Sequence, residues 1–442
     1  MKLDELGSGR VALLGLGREG RSFCRVWRGR FADRELPVFA EHEPEDRLPG
    51  IDMRVGPLDA DLRDFDVLVR SPGIPVDHPG LEAARTSGTR IITASSIWLA
   101  ERVDCPLVVV TGSKGKSTTA ALLADMVRED GQDVVLAGNI GAPLLDFLDT
   151  TADWVVAELS SYQLADLEGQ IPLAVVTRLF PEHQDWHGGE QAYYDAKMRV
   201  LDLARAGRVI VNADDPVLHR RTRGRAGVVD GNRPEGLHGR IEGLFEGSQC
   251  RVVAGDCRLR GRHNFSNAAL AMEAGRVMGL GEVAMIRAIR SFRGLPHRLE
   301  SLGVRGGIEW INDSISTSPE STRAALECLA GRPVTLIAGG QDRGSDWAGV
   351  FSGPGQPHAV IALPDNAGSI VRAAREAGPM PGGIHESPGL AEAVDRARTI
   401  TPDAGLVLFS PGAPSYNCYR DFEARGMDFA ARLGNAGSVG NE

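Results

Sequence analysis

The stretch "TGSKGKST", Thr111 to Thr118, sets Gly112 and Gly115 around Ser113 and Lys114 and then runs into Lys116, Ser117 and Thr118. It follows the apolar run "PLVVV" and opens "TTAALLADMVRED", where Leu122, Leu123, Met126 and Val127 share one helical stripe before Gly131 stops it. Strand, glycine turn and helix in this order turn backbone N–H groups inward, add the positive end of a helix, and let Lys116 reach terminal phosphate oxygens. Ser117 is placed to touch Mg²⁺. The segment predicts ATP binding, against the plainer reading of a glycine turn with no ligand. "GSKGKST" is shorter than the usual eight-residue pattern, and Lys114 reads either as an extra phosphate contact or as a solvated loop lysine. Kinases, GTPases, ATPases and ligases all use such a loop, so the rest of the chain must decide.

Three further segments carry chemistry. In "VVAELSSYQL", Glu158 follows a strand that should end beside the loop, where a carboxylate would hold the metal of a nucleotide; the alternative is an acid capping the next helix. "FPEHQDWHGG" gathers His183, Asp185 and His187 in a turn-rich stretch, which suits a metal or anion site better than a core. "YYDAKMRV" places Lys197 on a helix, where a lone lysine ordinarily faces solvent. Near the N-terminus, "VALLGLGREGRS" contains Gly15, Gly17 and Gly20 in a GxGxxG after a strand, with Glu41 ending the next strand about twenty residues on. Taken alone this is a dinucleotide fingerprint with NAD as the default ligand, or glycines needed only for helix–sheet packing. No hydride-transfer constellation appears elsewhere.

The elements that must position these residues are short β-branched runs alternating with helical patterns: "RVALLGL", "LPVFAEHE", "DVLVRSPG", "PLVVVTG", "DVVLAGN", "DWVVAELS", "LAVVTRLF", "RVIVNADD", "VTLIAGG", "HAVIALP" and "GLVLFSPG". Apolar strands separated by helices predict an α/β fold with parallel sheets covered on both faces and ligands at the carboxyl ends of the strands. A chain of 442 residues, 42% hydrophobic, supports two or three such domains. Strand groups divide it at 1–98, 99–297 and 298–442. The net charge of −10, with both signs interspersed, argues against a nucleic-acid binder. Six scattered cysteines form no CxxC pair and no metal-ligand spacing, which predicts free thiols of a reducing compartment. With no signal-like or bilayer-spanning stretch, a soluble cytoplasmic protein is expected.

In this order the motifs resemble the Mur ligase superfamily over nearly the whole chain. "TGSKGKST", "GNIG", "ELSSYQL", "EHQDWHG", "AKMR", "GRHNFSNAALA", "LPHRLE", "NDSISTSPEST", "AGGQDRGSDW" and "SPGAPSYNCYRDFEARG" carry the likeness, and "SSYQL", "LPHRLE" and the closing segment point to its glutamate-adding, MurD-type branch. The resemblance implies three domains: a Rossmann-like N-terminal one, a central P-loop ATPase-like one with a parallel sheet, and a Rossmann-like C-terminal one. It implies Glu158 and His183 as Mg²⁺ ligands, Lys197 as a carbamate beside a second Mg²⁺, Asn139 near the nucleotide, Asn264 and Asn267 near adenine, and Arg298 and Asp313 as nucleotide contacts from the third domain. The first glycine turn would receive a uridine diphosphate, through Gly15, Leu16, Gly17, Arg18, Glu41, the "SPG" of Ser71, Pro72 and Gly73, and Ser160 and Gln163. Reaction would run through an acyl phosphate made at the γ-phosphate of ATP, helped by Lys116, which glutamate then attacks; His183 is a candidate for deprotonating the amine. A third-domain closure would shield the activated group.

Glutamate would be held by Thr317, Arg343, Ser415 and Phe422. Here the chain departs from the common D-glutamate pattern: "DSISTS" carries Ile315 in place of a lysine, Arg343 stands for another, and "SPGAPS" keeps Ser415. Exchanging a point charge for a planar fork and losing a second cation should reposition a dicarboxylate. The variant motifs look like a subgroup that adds L-glutamate, with D-glutamate as the alternative. The small-molecule partners expected are UDP-N-acetylmuramoyl-L-alanine and glutamate, with ATP and Mg²⁺, no nucleic acid or membrane, and a monomeric enzyme. Competing readings are a folylpolyglutamate synthase-like ligase, a non-catalytic nucleotide switch and an NAD-dependent oxidoreductase.

Overall fold

A computed structural model describes residues 1–43, 48–204, 207–259, 261–342, 344–353 and 355–434. The chain forms two compact units, Met1–Phe292 and Arg293–Glu442. The first holds two parallel sheets. One consists of β1 (Val11–Leu14), β2 (Val38–Ala40), β3 (Met53–Val55), β4 (Val67–Arg70) and β5 (Arg90–Thr93), in the order β3-β2-β1-β4-β5. Every residue of β1 and β4 is buried, as a strand covered on both faces requires, and Leu13 registers with Val38 on one side and Val69 on the other. The order reverses between β1 and β4. Their carboxyl ends, bearing Gly15 and Ser71, therefore open the crevice where ligands bind in such sheets.

The second sheet runs β11-β10-β9-β6-β8-β7, from β6 (Leu107–Thr111), β7 (Val134–Gly138), β8 (Trp154–Glu158), β9 (Leu173–Val176), β10 (Arg208–Asn212) and β11 (Val228–Gly231). It too reverses at its central strand, β6, whose neighbours are β8 and β9. The pairs Val110 with Glu158 and Thr111 with Val176 fix what flanks the phosphate loop. A small antiparallel sheet of β12 (Leu237–Arg240), β13 (Gly243–Glu246) and β14 (Gln249–Val253) leans on the helix Arg262–Met278, close enough that a Cβ on Gly239 would lie 2.3 Å from the Ser266 nitrogen.

The second unit is one sheet, β15-β16-β20-β17-β18-β19, made of β15 (Glu300–Arg305), β16 (Ile308–Asn312), β17 (Val334–Gly340), β18 (Ala359–Asp365), β19 (Ile384–Glu386) and β20 (Leu406–Phe409). Only β15 is antiparallel to its neighbour. The buried runs of β17 and β20 form its core, and Phe409 stacks on Phe429 of the helix Phe422–Gly434 at 4.6 Å.

Candidate active site around the phosphate loop

β6 delivers the chain into the loop, and the helix Lys116–Glu129 leaves it. Gly112 (φ 141°) and Gly115 (φ 92°) occupy conformations that favour glycine. A Cβ on Gly112 would lie 2.1 Å from Thr177 Oγ1, and one on Gly115 2.5 Å from Asn267 Oδ1. The loop is thus pressed between β9's end and the Arg262–Met278 helix. Thr177 Oγ1 donates to the Thr111 and Lys114 carbonyls at 3.1 and 2.8 Å, and Ser113 Oγ lies 2.7 Å from the Tyr193 hydroxyl and accepts from Phe180 N at 3.0 Å. Ser113 therefore serves the loop's shape with its side chain. Lys116 Nζ donates to the Ser113 carbonyl at 2.7 Å, curled over its own turn, while Ser117 and Thr118 begin the helix half-buried. Lys114 is exposed, and its ammonium meets Glu182 Oε1 at 2.8 Å.

Glu158 closes β8 and is fully buried. It does not cap the next helix: Ser160 does, in a reciprocal box with Gln163. Asn139 Nδ2 donates to Glu158 Oε1 at 2.7 Å, and Oε2 has no hydrogen-bond partner. A buried carboxylate oxygen left without a donor calls for a cation. Lys197, from the helix Glu190–Leu203, is 2% exposed and donates to Thr111 Oγ1 at 3.2 Å, so it is no solvated helix lysine. Burial first, and then the Lys116 charge, push its ammonium well below the ordinary lysine range, against the pull of Glu158.

His183 adopts a left-handed backbone (φ 52°) ahead of the short helix Gln184–His187, and partial desolvation lowers its pKa. Desolvation and the neighbouring His183 push His187 down to about 4. Tyr162 stacks on Trp186 at 4.3 Å and lies 5.1 Å from the His183 ring. Asp185 is exposed. Among the described residues no three His, Cys, Asp or Glu side chains converge into a complete metal cage. Mg²⁺ is commonly bound through one or two carboxylates completed by waters and substrate phosphates, and Glu158 Oε2, left without a hydrogen-bond partner, is an oxygen that could serve it.

At the other crevice Gly15 (φ 82°) accepts a 2.7 Å hydrogen bond on its carbonyl from Ser71 Oγ. Leu16 is buried, Gly17 caps the helix Arg18–Arg30, and Gly73 accepts from Trp186 Nε1 at 3.1 Å, with Pro72 between it and Ser71. Arg18 donates to the carbonyls of Asn139, at 3.3 Å, and Gly141. Glu41 is exposed and lies 3.4 Å from His78 Nε2. Gln163 Nε2 donates at 2.5 Å to Glu19, a buried carboxylate. Arg70, buried and bidentate to Asp166, emerges only from the fold.

In the second unit Asp313 directly follows β16, buried, accepting from Leu299 N at 3.1 Å, Ser316 Oγ at 2.6 Å and Ser410 Oγ at 2.7 Å. Burial raises its pKa, against the hydrogen bonds and Arg298, which is itself exposed. Thr317 is exposed, Ser415 buried, and the Phe422 ring lies 6.3 Å from His297. Arg343 lies outside the described residues. In the first unit Asn264 and Asn267 are 3.4 Å apart on one helix.

A model of the Mur ligase middle domain matches residues 110–275, the segment from β6 through most of the Asn267 helix. The UDP-N-acetylmuramoyl-L-alanine–L-glutamate ligase of Xylella fastidiosa is 37% identical over 98% of this chain and 97% of its own. Those of Xanthomonas axonopodis pv. citri and a Micromonospora species are 38% and 37% identical, over 98% and 97% of this chain and 97% of each relative. The chain belongs to the Mur ligase family. Two solved Mur ligases share its fold at low identity: the UDP-N-acetylmuramate–alanine ligase of Thermotoga maritima (TM-score 0.58, 17% identity, 96% of this chain and 99% of that one) and the MurF ligase of the same organism in complex with ADP (0.55, 14%, 96% and 95%). Within this Mur ligase, sequence reasoning missed Glu19, Glu182 and Thr177. Only Glu19 left a signal: a carboxylate inside a glycine turn meant for an anion.

Proposed function

We propose that this Mur ligase uses ATP to join L-glutamate to UDP-N-acetylmuramoyl-L-alanine, forming an amide in peptidoglycan precursor synthesis. The observation that carries this reading is the full-length kinship with relatives named for that reaction, at 37–38% identity over 98% of the chain. The geometry around β6 supports it: a glycine loop with Lys116, the half-free buried carboxylate of Glu158 and the buried Lys197 stand at one switch point. The division into a UDP-substrate domain (1–98), an ATP domain (99–297) and a glutamate domain (298–442) belongs to the same reading.

Gly112, Ser113, Lys114, Gly115, Lys116, Ser117 and Thr118 grip the phosphates, with Asn139, Asn264 and Asn267 beside the nucleotide and Arg298 and Asp313 as further nucleotide contacts. Ser117, Glu158, His183 and a carbamylated Lys197 would hold Mg²⁺, which would neutralise charge on the transferring phosphoryl group. Lys197 is suited to carbamylation because its burial favours the neutral amine that reacts with CO₂, and the product supplies an anion where a cation would repel the metals. The substrate carboxylate attacks the γ-phosphate as Lys116 stabilises the developing charge. The amine of glutamate, oriented by Thr317, Arg343, Ser415 and Phe422, then displaces phosphate from the acyl phosphate. Gly15, Leu16, Gly17, Arg18, Glu41, Ser71, Pro72, Gly73, Ser160 and Gln163 form the uridine diphosphate side. The enzyme works as a monomer in the cytoplasm; no helix of the described residues is long and apolar enough to cross a membrane.

Purified protein incubated with UDP-N-acetylmuramoyl-L-alanine, ATP, Mg²⁺ and either glutamate enantiomer should release phosphate with L-glutamate. Turnover with D-glutamate alone would overturn the enantiomer, and turnover with neither would overturn the reaction.

A further inference from the structure

The helix that follows the first glycine turn reaches toward the ATP side with two consecutive residues. Arg18 holds the carbonyls of Asn139 and Gly141. On the same helical face, at i+4 and i+7, Ser22 Oγ and Arg25 both bind Asp146, at 2.6 and 2.7 Å, so one side of the helix grips the loop after β7 throughout. Glu19 points the other way. It is 8% exposed, and its Oε1 accepts from Gln163 Nε2, while Ser95 Oγ stands 3.4 Å from Oε2. Gln163 is fixed at both ends, because its Oε1 accepts from Ser160 N at 2.8 Å.

These two loops are the ones that flank Glu158. Asn139 N donates to the Glu158 carbonyl at 2.8 Å and its side chain orients Oε1, while Ser160 stands two residues beyond the carboxylate. We propose that Glu19 is a positioning residue: together with Arg18 it brackets both loops around Glu158 and sets the direction in which that carboxylate meets Mg²⁺. The glycine turn would thereby be tied to the metal site as well as to its own ligand. This rests on the reading above, in which Glu158 holds the metal. A carboxylate at a helix N-terminus meant for a diphosphate would repel that ligand if it faced it, and the bracket explains why it is turned inward onto an amide and a hydroxyl.

The test compares ADP affinity with and without Mg²⁺, by titration calorimetry, in the full chain and three variants. Wild type should gain affinity from Mg²⁺. Gln163→Glu keeps the capping box but sets a carboxylate against Glu19; it should lose about 10-fold of that Mg²⁺ gain, with metal-free ADP affinity changed by less than about 2-fold. Glu19→Gln/Gln163→Glu should recover the gain, because the new amide donates to the new carboxylate. An undiminished gain in Gln163→Glu, or a double variant no better than the single, overturns the bracket. Should Gln163→Glu fail to fold, Arg18→Met, on the exposed face, tests the other arm: a selective fall in the Mg²⁺ gain supports the bracket and an unchanged gain overturns it. If wild type itself shows no gain from Mg²⁺, the assignment of Glu158 fails, and this inference with it.

Discussion

The molecule turns a strand into a helix through glycine twice in its first unit, at Gly15–Gly20 and at Gly112–Lys116, and the two turns are built differently. In the phosphate loop both glycines have positive φ and the space beside them is filled by side chains, Thr177 and Asn267, with two lysines in the turn itself. In the first turn the tightest approach is backbone on backbone: a Cβ on Gly20 would lie 2.2 Å from the Gly15 carbonyl. The charged residues there, Arg18 and Glu19, hydrogen-bond to Asn139 and Gln163. On the proposed reading one turn is a cationic grip on a transferring phosphate, the other a close-packed seat for a group that does not react.

The largest break in this contrast should come from Lys116→Ala, which removes the charge that follows the phosphoryl group. The expected loss is about 10²–10³-fold in kcat/KM, with UDP-substrate binding retained, measured by phosphate release and calorimetry. Next, Gly112→Ala adds both a strained φ and an overlap with Thr177, costing about 3 kcal/mol of stability. Gly20→Ala forces helix from strand and should cost about 2 kcal/mol; both are read from denaturant midpoints at constant slope.

A smaller effect sharpens the first turn alone. Burial raises the Glu19 carboxyl above its ordinary 4.5, against the hydrogen bond from Gln163 and the charge of Arg70, while Asp166 adds to the rise. A raised acid favours the folded state below its unfolded pKa, and that contribution is lost as pH climbs through the folded value. Glu19→Gln, which cannot ionise, should therefore gain in melting temperature relative to wild type as pH rises past about 4.5. A difference independent of pH would contradict this. Least of all, Gly17→Ala, with φ −71° and nothing within 4 Å of an added Cβ, should change stability by less than about 0.5 kcal/mol.

Much of this contrast was legible in the sequence, because both turns sit after wholly apolar runs. "VALLGL" and "PLVVV" became the buried strands β1 and β6, and Gly131 does follow the helix that carries Lys116. Among the strands that escaped, β3 with its exposed "MRV" and the hairpin strands β12 to β14 lack such runs because one face meets solvent or a single helix. Lys197 shows a different limit. Nothing in "DAKMR" distinguishes a buried lysine from a solvated one, since Lys197 meets the end of β6 at Thr111, 86 residues earlier in the chain. Glu19 and Gln163, 144 residues apart, meet only because two switch points face each other within one unit.

The proposed reaction requires a substrate carboxylate to be activated at the loop of Lys116 by taking the γ-phosphate of ATP. The direct measurement labels both carboxylate oxygens of UDP-N-acetylmuramoyl-L-alanine with ¹⁸O, runs the reaction with L-glutamate, ATP and Mg²⁺, and weighs the released phosphate by mass spectrometry. Attack through an acyl phosphate leaves one labelled oxygen in each phosphate and one in the new amide. Phosphate released without label while amide forms would contradict it.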